Sequence, residues 1–203
     1  MSSHPPTVSA ALGQFVATAR WEDFPEALRH TSKRSLLNGM ATGLCSANDA
    51  VVGTLVRTLQ SFTASTDAAL IGRRTRMDAG GAAFVNAVAI NLLDFDDTHL
   101  PTIIHPTAPV AAAALALAEW RGRSGQQLLQ AFTAGAEVAC RIGLGVSPGH
   151  YARGVEVQQF RASRGGAERA AGRGDVPAAR VVVRRDCIAD AALHIHAENE
   201  RGQ

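Results

Sequence analysis

The segment from Leu92 to Val110, LLDFDDTHLPTIIHPTAPV, places three carboxylates (Asp94, Asp96, Asp97), the Thr98 hydroxyl and two imidazoles (His99, His105) between two apolar, helix-like stretches. An acid, a base and a hydrogen-bond donor in one short stretch suit proton transfer. Burying so many polar groups costs on the order of several kcal/mol unless each finds a partner. Handling a polar ligand is one common reason to accept that cost. Asp94 and Thr98 are spaced to share a helix face, where the carboxylate would accept a proton or orient a histidine. Capping a helix end is the alternative for both. His105 precedes Pro106 at an expected helix start, where free amides and the helix dipole favour an anion. An imidazole there would hold a substrate carboxylate or shuttle its proton, and a turn histidine is the plain structural alternative. Asp96 and Asp97 are expected to face solvent, bind a backbone amide or pair with an arginine, although crowded carboxylates raise one another's pKa. His99 is read as pocket-lining. Arg141 follows Glu137 by one helical turn, which suits an internal ion pair or, alternatively, carboxylate binding.

The positioning elements are mostly helical. Apolar residues recur at helical spacing from Val8 to Ala19, with Thr7 or Ser9 as a cap. A second helix is expected from Pro25, read as the first helical residue, to about Ser46, and a third from Asp49 to Ser61. Ala68–Gly72 reads as a short extended piece. Ala79–Leu93, Pro106–Trp120 and Gly125–Leu144 read as helices, the last capped by Ser124. The fold class is therefore all-α.

Composition sets outer limits. A chain of 203 residues with 46% hydrophobic residues can build one ordinary domain. A net charge of +2 supplies no strong field for nucleic acid or a membrane surface. Lys33 is the sole lysine although Lys+Arg is 20, a bias typical of a GC-rich gene. Cys45, Cys140 and Cys187 are far apart and form no CxxC pair, so neither a disulfide framework nor a zinc site is expected. GGA and GLG match no phosphate-binding loop, so nucleotide binding is not indicated. The N-terminal stretch lacks the pattern of a secretory leader, and PVAAAALALAEW is too short to span a bilayer. A soluble, cytoplasmic protein is expected.

Four blocks in order carry a family resemblance: FPEALRHTSKRSLLNGMATGL, AAFVNAVAINLLDFDDTH, HPTAPVAAAALALAEWRGRSGQQLLQAFTAGAEVACRIG and GHYARG. Over Val8–Gly154 the chain resembles the MmgE/PrpD family, which includes 2-methylcitrate dehydratases, cis-aconitate decarboxylases and iminodisuccinate epimerases. The resemblance implies an all-α N-terminal domain, followed in full-length members by a smaller α/β lid. It implies metal-free and cofactor-free proton transfer next to a carboxylate of a small di- or tricarboxylic acid, leading to elimination, decarboxylation or epimerisation. It implies Asp94, Thr98 and His105 as catalytic residues and Tyr151, the sole tyrosine, near the pocket mouth, with His99 and Arg141 as further candidates for substrate binding. A homodimer is the expected assembly.

The pattern breaks after Arg153-Gly154. The family continues with RG-x-H-x-T-G, whereas this chain continues VEVQQF, and its downstream lysines and second histidine have no counterpart. Asn38 also stands where an aspartate is common. Residues 155–203 are Ala/Arg/Gly/Val-rich with poor apolar periodicity. They read as a frame-disrupted or poorly ordered basic tail after a helical domain of residues 1–154, and weak or absent activity is expected of so truncated a chain. His194 and His196 in that tail would chelate a metal only weakly.

Two other functions fit parts of the sequence. Asp94-Phe95-Asp96-Asp97-Thr98 matches D-x-D-x-T, the nucleophile motif of magnesium-dependent haloacid-dehalogenase-type phosphatases, which should follow an apolar strand. A non-catalytic helical remnant that only associates with itself is the other reading.

Overall fold

The computed structural model describes residues 7–152, with side chains through residue 146. Six helices carry the fold: α1 (Val8–Thr18), α2 (Glu26–Ser46), α3 (Ala50–Gln60), α4 (Ala79–Asn91), α5 (Thr107–Trp120) and α6 (Gly125–Ala152). A short 3-10 turn, Trp21–Asp23, links α1 to α2. The expected all-α class holds. The expected tail, residues 155–203, lies outside the described residues.

Helix starts follow local chemistry. The side chains of Thr7, Asp49 and Asp78 accept from the backbone amides of Ala10, Val51 and Gly81, which satisfies donors that the first turns of α1, α3 and α4 leave open. Ser124 and Gln127 bond reciprocally, side chain to amide, before α6, a capping box. Pro25 and Pro106, expected as first helical residues, occupy the cap positions instead. The extended piece at residues 68–72 resolves into β1 (Ala68–Ala69), paired antiparallel with β2 (Arg76–Met77). Between them Gly72 has φ +69, and an added Cβ would stand 2.6 Å from the Ala47 side chain. Both facts require glycine there.

Helices α4 and α5 form the centre: they pack on each other, α2 packs on α4, and α6 packs on α5. Ala82, Val85, Ala89 and Ile90 of α4 and Ala108, Ala111, Ala112 and Ala116 of α5 are buried. Their small side chains let the helix axes approach closely. One part of the core joins Val52 and Val56 of α3 to Leu70, Met77 and Val85. Polar side chains cross-link the layers. Asn86, 1% exposed, accepts from the Ile71 amide at 2.9 Å and donates to the Ala69 carbonyl at 3.0 Å, tying the hairpin to α4. The Ser46 hydroxyl donates to the Ala89 carbonyl and ties α2 to α4. None of the helices among the described residues is long and apolar enough to cross a membrane.

Candidate active site

The site lies in the connection between α4 and α5. Asp94 and Thr98 do not share a helix face, because α4 ends at Asn91 and the chain turns away. The Asp94 amide donates to the Asn91 carbonyl at 2.9 Å, and Asp94 itself has φ 58, a left-handed conformation that aspartate tolerates better than most residues. Asn38 of α2 donates to the Phe95 carbonyl at 2.9 Å and fixes the segment from the other side. This asparagine, standing where an aspartate was expected, thus serves as a backbone anchor.

His105 is where the side chains meet. Its Nε2 lies 3.7 Å from Asp94 Oδ1, and its Nδ1 lies 3.5 Å from Asp96 Oδ1. The Thr98 hydroxyl is 3.4 Å from the same Nδ1. The two carboxylates differ sharply: the Asp94 side chain is 73% exposed and that of Asp96 is 0% exposed. The ring therefore has a wet side and a dry side. Asp94, Thr98 and His105, separated by up to eleven positions in sequence, stand together in space.

Asp96 departs from expectation. It is buried, faces His105, and accepts from the Asn91 side-chain amide at 3.3 Å on each oxygen. Burial pushes its carboxyl above the ordinary aspartate value, while the Asn91 hydrogen bond and the charge of His105 hold the rise in check. Asp97 takes one of its three expected roles. Its Oδ1 accepts from the Thr107 amide at 3.1 Å, so the anion at the start of α5 is the chain's own. Burial raises the Asp97 carboxyl too, against the lowering effect of its contacts with Thr107.

The other candidates lie elsewhere. His99 is 1% exposed, its Nδ1 2.6 Å from Thr102 Oγ1, and its amide donates to the Ile104 carbonyl at 2.8 Å. Its ring thus takes part in the internal bonding of the 99–104 turn, where Ile103 holds φ 53, a strained conformation for a β-branched residue. Arg141 is 4% exposed and forms the expected ion pair with Glu137, one turn back on α6. The side chain of Tyr151 lies outside the described residues, as do Arg153, His194 and His196 and the side chain of His150.

Asp94, Asp96 and His105 each offer a ligand atom within 4.8 Å of the others, a spacing that would admit a cation. The D-x-D-x-T motif does not sit as a phosphatase nucleophile should. It follows the end of α4, and the sole sheet among the described residues is the pair of two-residue strands β1 and β2.

Sequence reasoning named Asp96 but not its place against His105, and it missed Asn91. Asn91, exposed at the end of α4, carried no signal in the sequence that it would reach back to Asp96.

A family model described as the MmgE/PrpD N-terminal domain matches residues 10–172. Over 116 residues the chain is 34% identical to cis-aconitate decarboxylase of Mus musculus, covering 55% of this chain and 24% of that protein. The enzyme of the same name from Homo sapiens is likewise 34% identical over 116 residues. A cis-aconitate decarboxylase-like protein, oryM, of Aspergillus oryzae is 25% identical over 143 residues, 67% of this chain and 30% of that protein. The matched stretches span less than a third of these relatives.

Proposed function

Because the chain belongs to the MmgE/PrpD family through its N-terminal domain, we propose that it carries part of the active site of a lyase for a small di- or tricarboxylic acid. The convergence of Asp94, Thr98 and Asp96 on the two nitrogens of His105 carries this reading.

The arrangement suits proton transfer next to a carboxylate. An imidazole with one nitrogen on the open side can act as a general base. Asp94, on that side, is placed to bear on the same proton, and the Thr98 hydroxyl can donate to charge developing beside the ring. In a dehydration, base removal of a C–H proton would accompany loss of hydroxide as water. In a decarboxylation, loss of carbon dioxide leaves a carbanion, which the protonated ring would quench. The names of the matched relatives favour cis-aconitate as the first substrate to test; 2-methylcitrate is the alternative from the family resemblance. No cofactor enters this scheme. Groups that hold the remaining carboxylates of the acid would come from outside the described residues.

The experiment compares the chain with its His105→Gln variant, both incubated with cis-aconitate and with 2-methylcitrate and followed by proton NMR. Residual turnover should fall by about 10²–10⁴-fold on loss of the base. Equal turnover by both proteins would overturn the proposal.

Association of two copies belongs to the same proposal. Leu37 (71% exposed), Leu44 (55%) and Phe95 (74%) leave apolar surface in the open on α2 and beside the site. Sedimentation equilibrium should give twice the monomer mass, and a monomer mass would rule the homodimer out. A folded dimer that binds neither acid would favour a purely associative helical protein.

A further inference from the structure

His105 is held between two carboxylates of unlike environment, and nothing in the general-base scheme says which ring nitrogen carries the proton. We propose that Asp96, fixed by Asn91, is a positioning residue that keeps the neutral His105 ring protonated at Nδ1 and so leaves Nε2 unprotonated and facing Asp94 and the open side. This rests on the proposed function only for its catalytic meaning, since the tautomer exists with or without a substrate.

A carboxylate can accept hydrogen bonds but not donate them. At 3.5 Å from Nδ1, with its side chain 0% exposed, Asp96 sits where water cannot screen it. An unprotonated Nδ1 would set a lone pair near that charge, whereas Nδ1–H brings a positive hydrogen near it, with Thr98 as its hydrogen-bond partner. Thr98, 3.4 Å from Nδ1, is indifferent, because a hydroxyl both donates and accepts. Asp94 makes the opposite demand on Nε2, but at 3.7 Å and 73% exposed it is screened by solvent. The buried carboxylate therefore decides. The Asn91 amide, 3.3 Å from both Asp96 oxygens, orients that carboxylate and favours its charged form, against the burial that raises its carboxyl overall. Histidines in catalytic and metal sites have their tautomer set in the same way, by the partner of the other ring nitrogen.

The consequence is directional. A proton taken from a substrate carbon goes to Nε2, and the resulting imidazolium is stabilised through Nδ1–H by Asp96. Asp96, enclosed behind the ring, acts through His105. Asp94, by contrast, is free to turn from the ring toward a ligand.

The test is a two-bond nitrogen–hydrogen correlation NMR spectrum of the nitrogen-15-labelled full chain, with the His105 ring assigned by its loss in His105→Gln. The wild-type protein and Asp94→Asn should both show the Nδ1–H tautomer above the pKa of the ring. Asp96→Leu, checked for folding by far-UV circular dichroism, should move the proton predominantly to Nε2. Asn91→Ala, which leaves the carboxylate but frees its orientation, should give a mixture and decides the matter if Asp96→Leu does not fold. An Nε2–H ring in the wild type overturns the proposal, as does an unchanged Nδ1–H ring in a folded Asp96→Leu. Titration of the wild type with cis-aconitate separates the two claims. Nδ1–H without acid binding keeps the tautomer and removes the lyase reading; acid binding on an Nε2–H ring does the reverse.

Discussion

Gly39 supports the site from behind, and replacing it with alanine tests the close approach of α2 to α5. It lies in the interior of α2, where an added Cβ would stand 2.7 Å from Thr107 Cγ2 and 3.6 Å from Ile90 Cγ2. Optimal carbon–carbon contact is about 3.5–4.0 Å, so the first contact must open by roughly 1 Å. Thr107 is 0% exposed and its methyl sits on a branched, fully enclosed side chain, so the strain passes to the backbone at the start of α5. Overpacking of this kind costs about 1–3 kcal/mol. Mid-helix Gly→Ala also gains about 1 kcal/mol from helix propensity. Gly13→Ala isolates that gain, because nothing lies within 4 Å of a Cβ at Gly13 in α1. The two variants should thus differ in stability by about 1–3 kcal/mol, with Gly39→Ala the weaker. At a urea slope of about 1–3 kcal/mol/M the midpoints should separate by about 1 M. Far-UV circular dichroism in urea measures this. The Thr107 amide donates to Asp97, so His105 ring signals should also move in Gly39→Ala and stay put in Gly13→Ala. Equal or higher stability of Gly39→Ala relative to Gly13→Ala would refute the close approach of α2 to α5.

Other expectations concern charge, buried polarity and metals. Asp96 and Asp97 titrate above the ordinary aspartate value in the folded chain, chiefly through burial, so the native state binds more protons than the unfolded state between the two values. Their contribution therefore lowers stability as pH rises through that window, and Asp96→Leu should flatten this part of a stability–pH curve. Asp78 runs the other way: its bond from the Gly81 amide lowers its carboxyl value, so its stabilisation is present above the ordinary value and lost as pH falls through the lowered one. Asn86→Leu strands the Ile71 amide and the Ala69 carbonyl and should cost about 2–4 kcal/mol in urea unfolding. Treatment with a chelator should leave acid binding at His105 unchanged. Magnesium-dependent hydrolysis of a phosphate ester would instead revive the D-x-D-x-T reading.

The fold was legible where its determinants are local. Thr7 and Ser124 announce helices α1 and α6 through capping chemistry, and apolar spacing marks α2 to α5. The partner strand Arg76–Met77 was not legible, since two residues carry no periodicity to detect. Pro25 and Pro106 were placed one position too far into their helices, because a fixed proline φ suits a cap as well as a first turn. At the site, residue types pointed to Asp94, Thr98 and His105, but the geometry joining them is not the helix-face spacing first read. It comes from a left-handed turn at Asp94 and a return of the chain at residues 99–104. Solvent exposure, a backbone amide and an arginine partner all fail to describe Asp96, because burial in an irregular segment depends on what the rest of the fold places over it. No pattern within LLDFDDTH separates the exposed Asp94 from the enclosed Asp96.

The most direct measurement is the response of the His105 ring to a small tricarboxylic acid. Labelled wild-type chain, titrated with cis-aconitate, should show saturable movement of the His105 ring signals, reduced in Asp94→Asn and accompanied by little change at the enclosed His99. No movement of His105 at millimolar acid, or equal movement of every histidine, would contradict a carboxylic-acid site between α4 and α5.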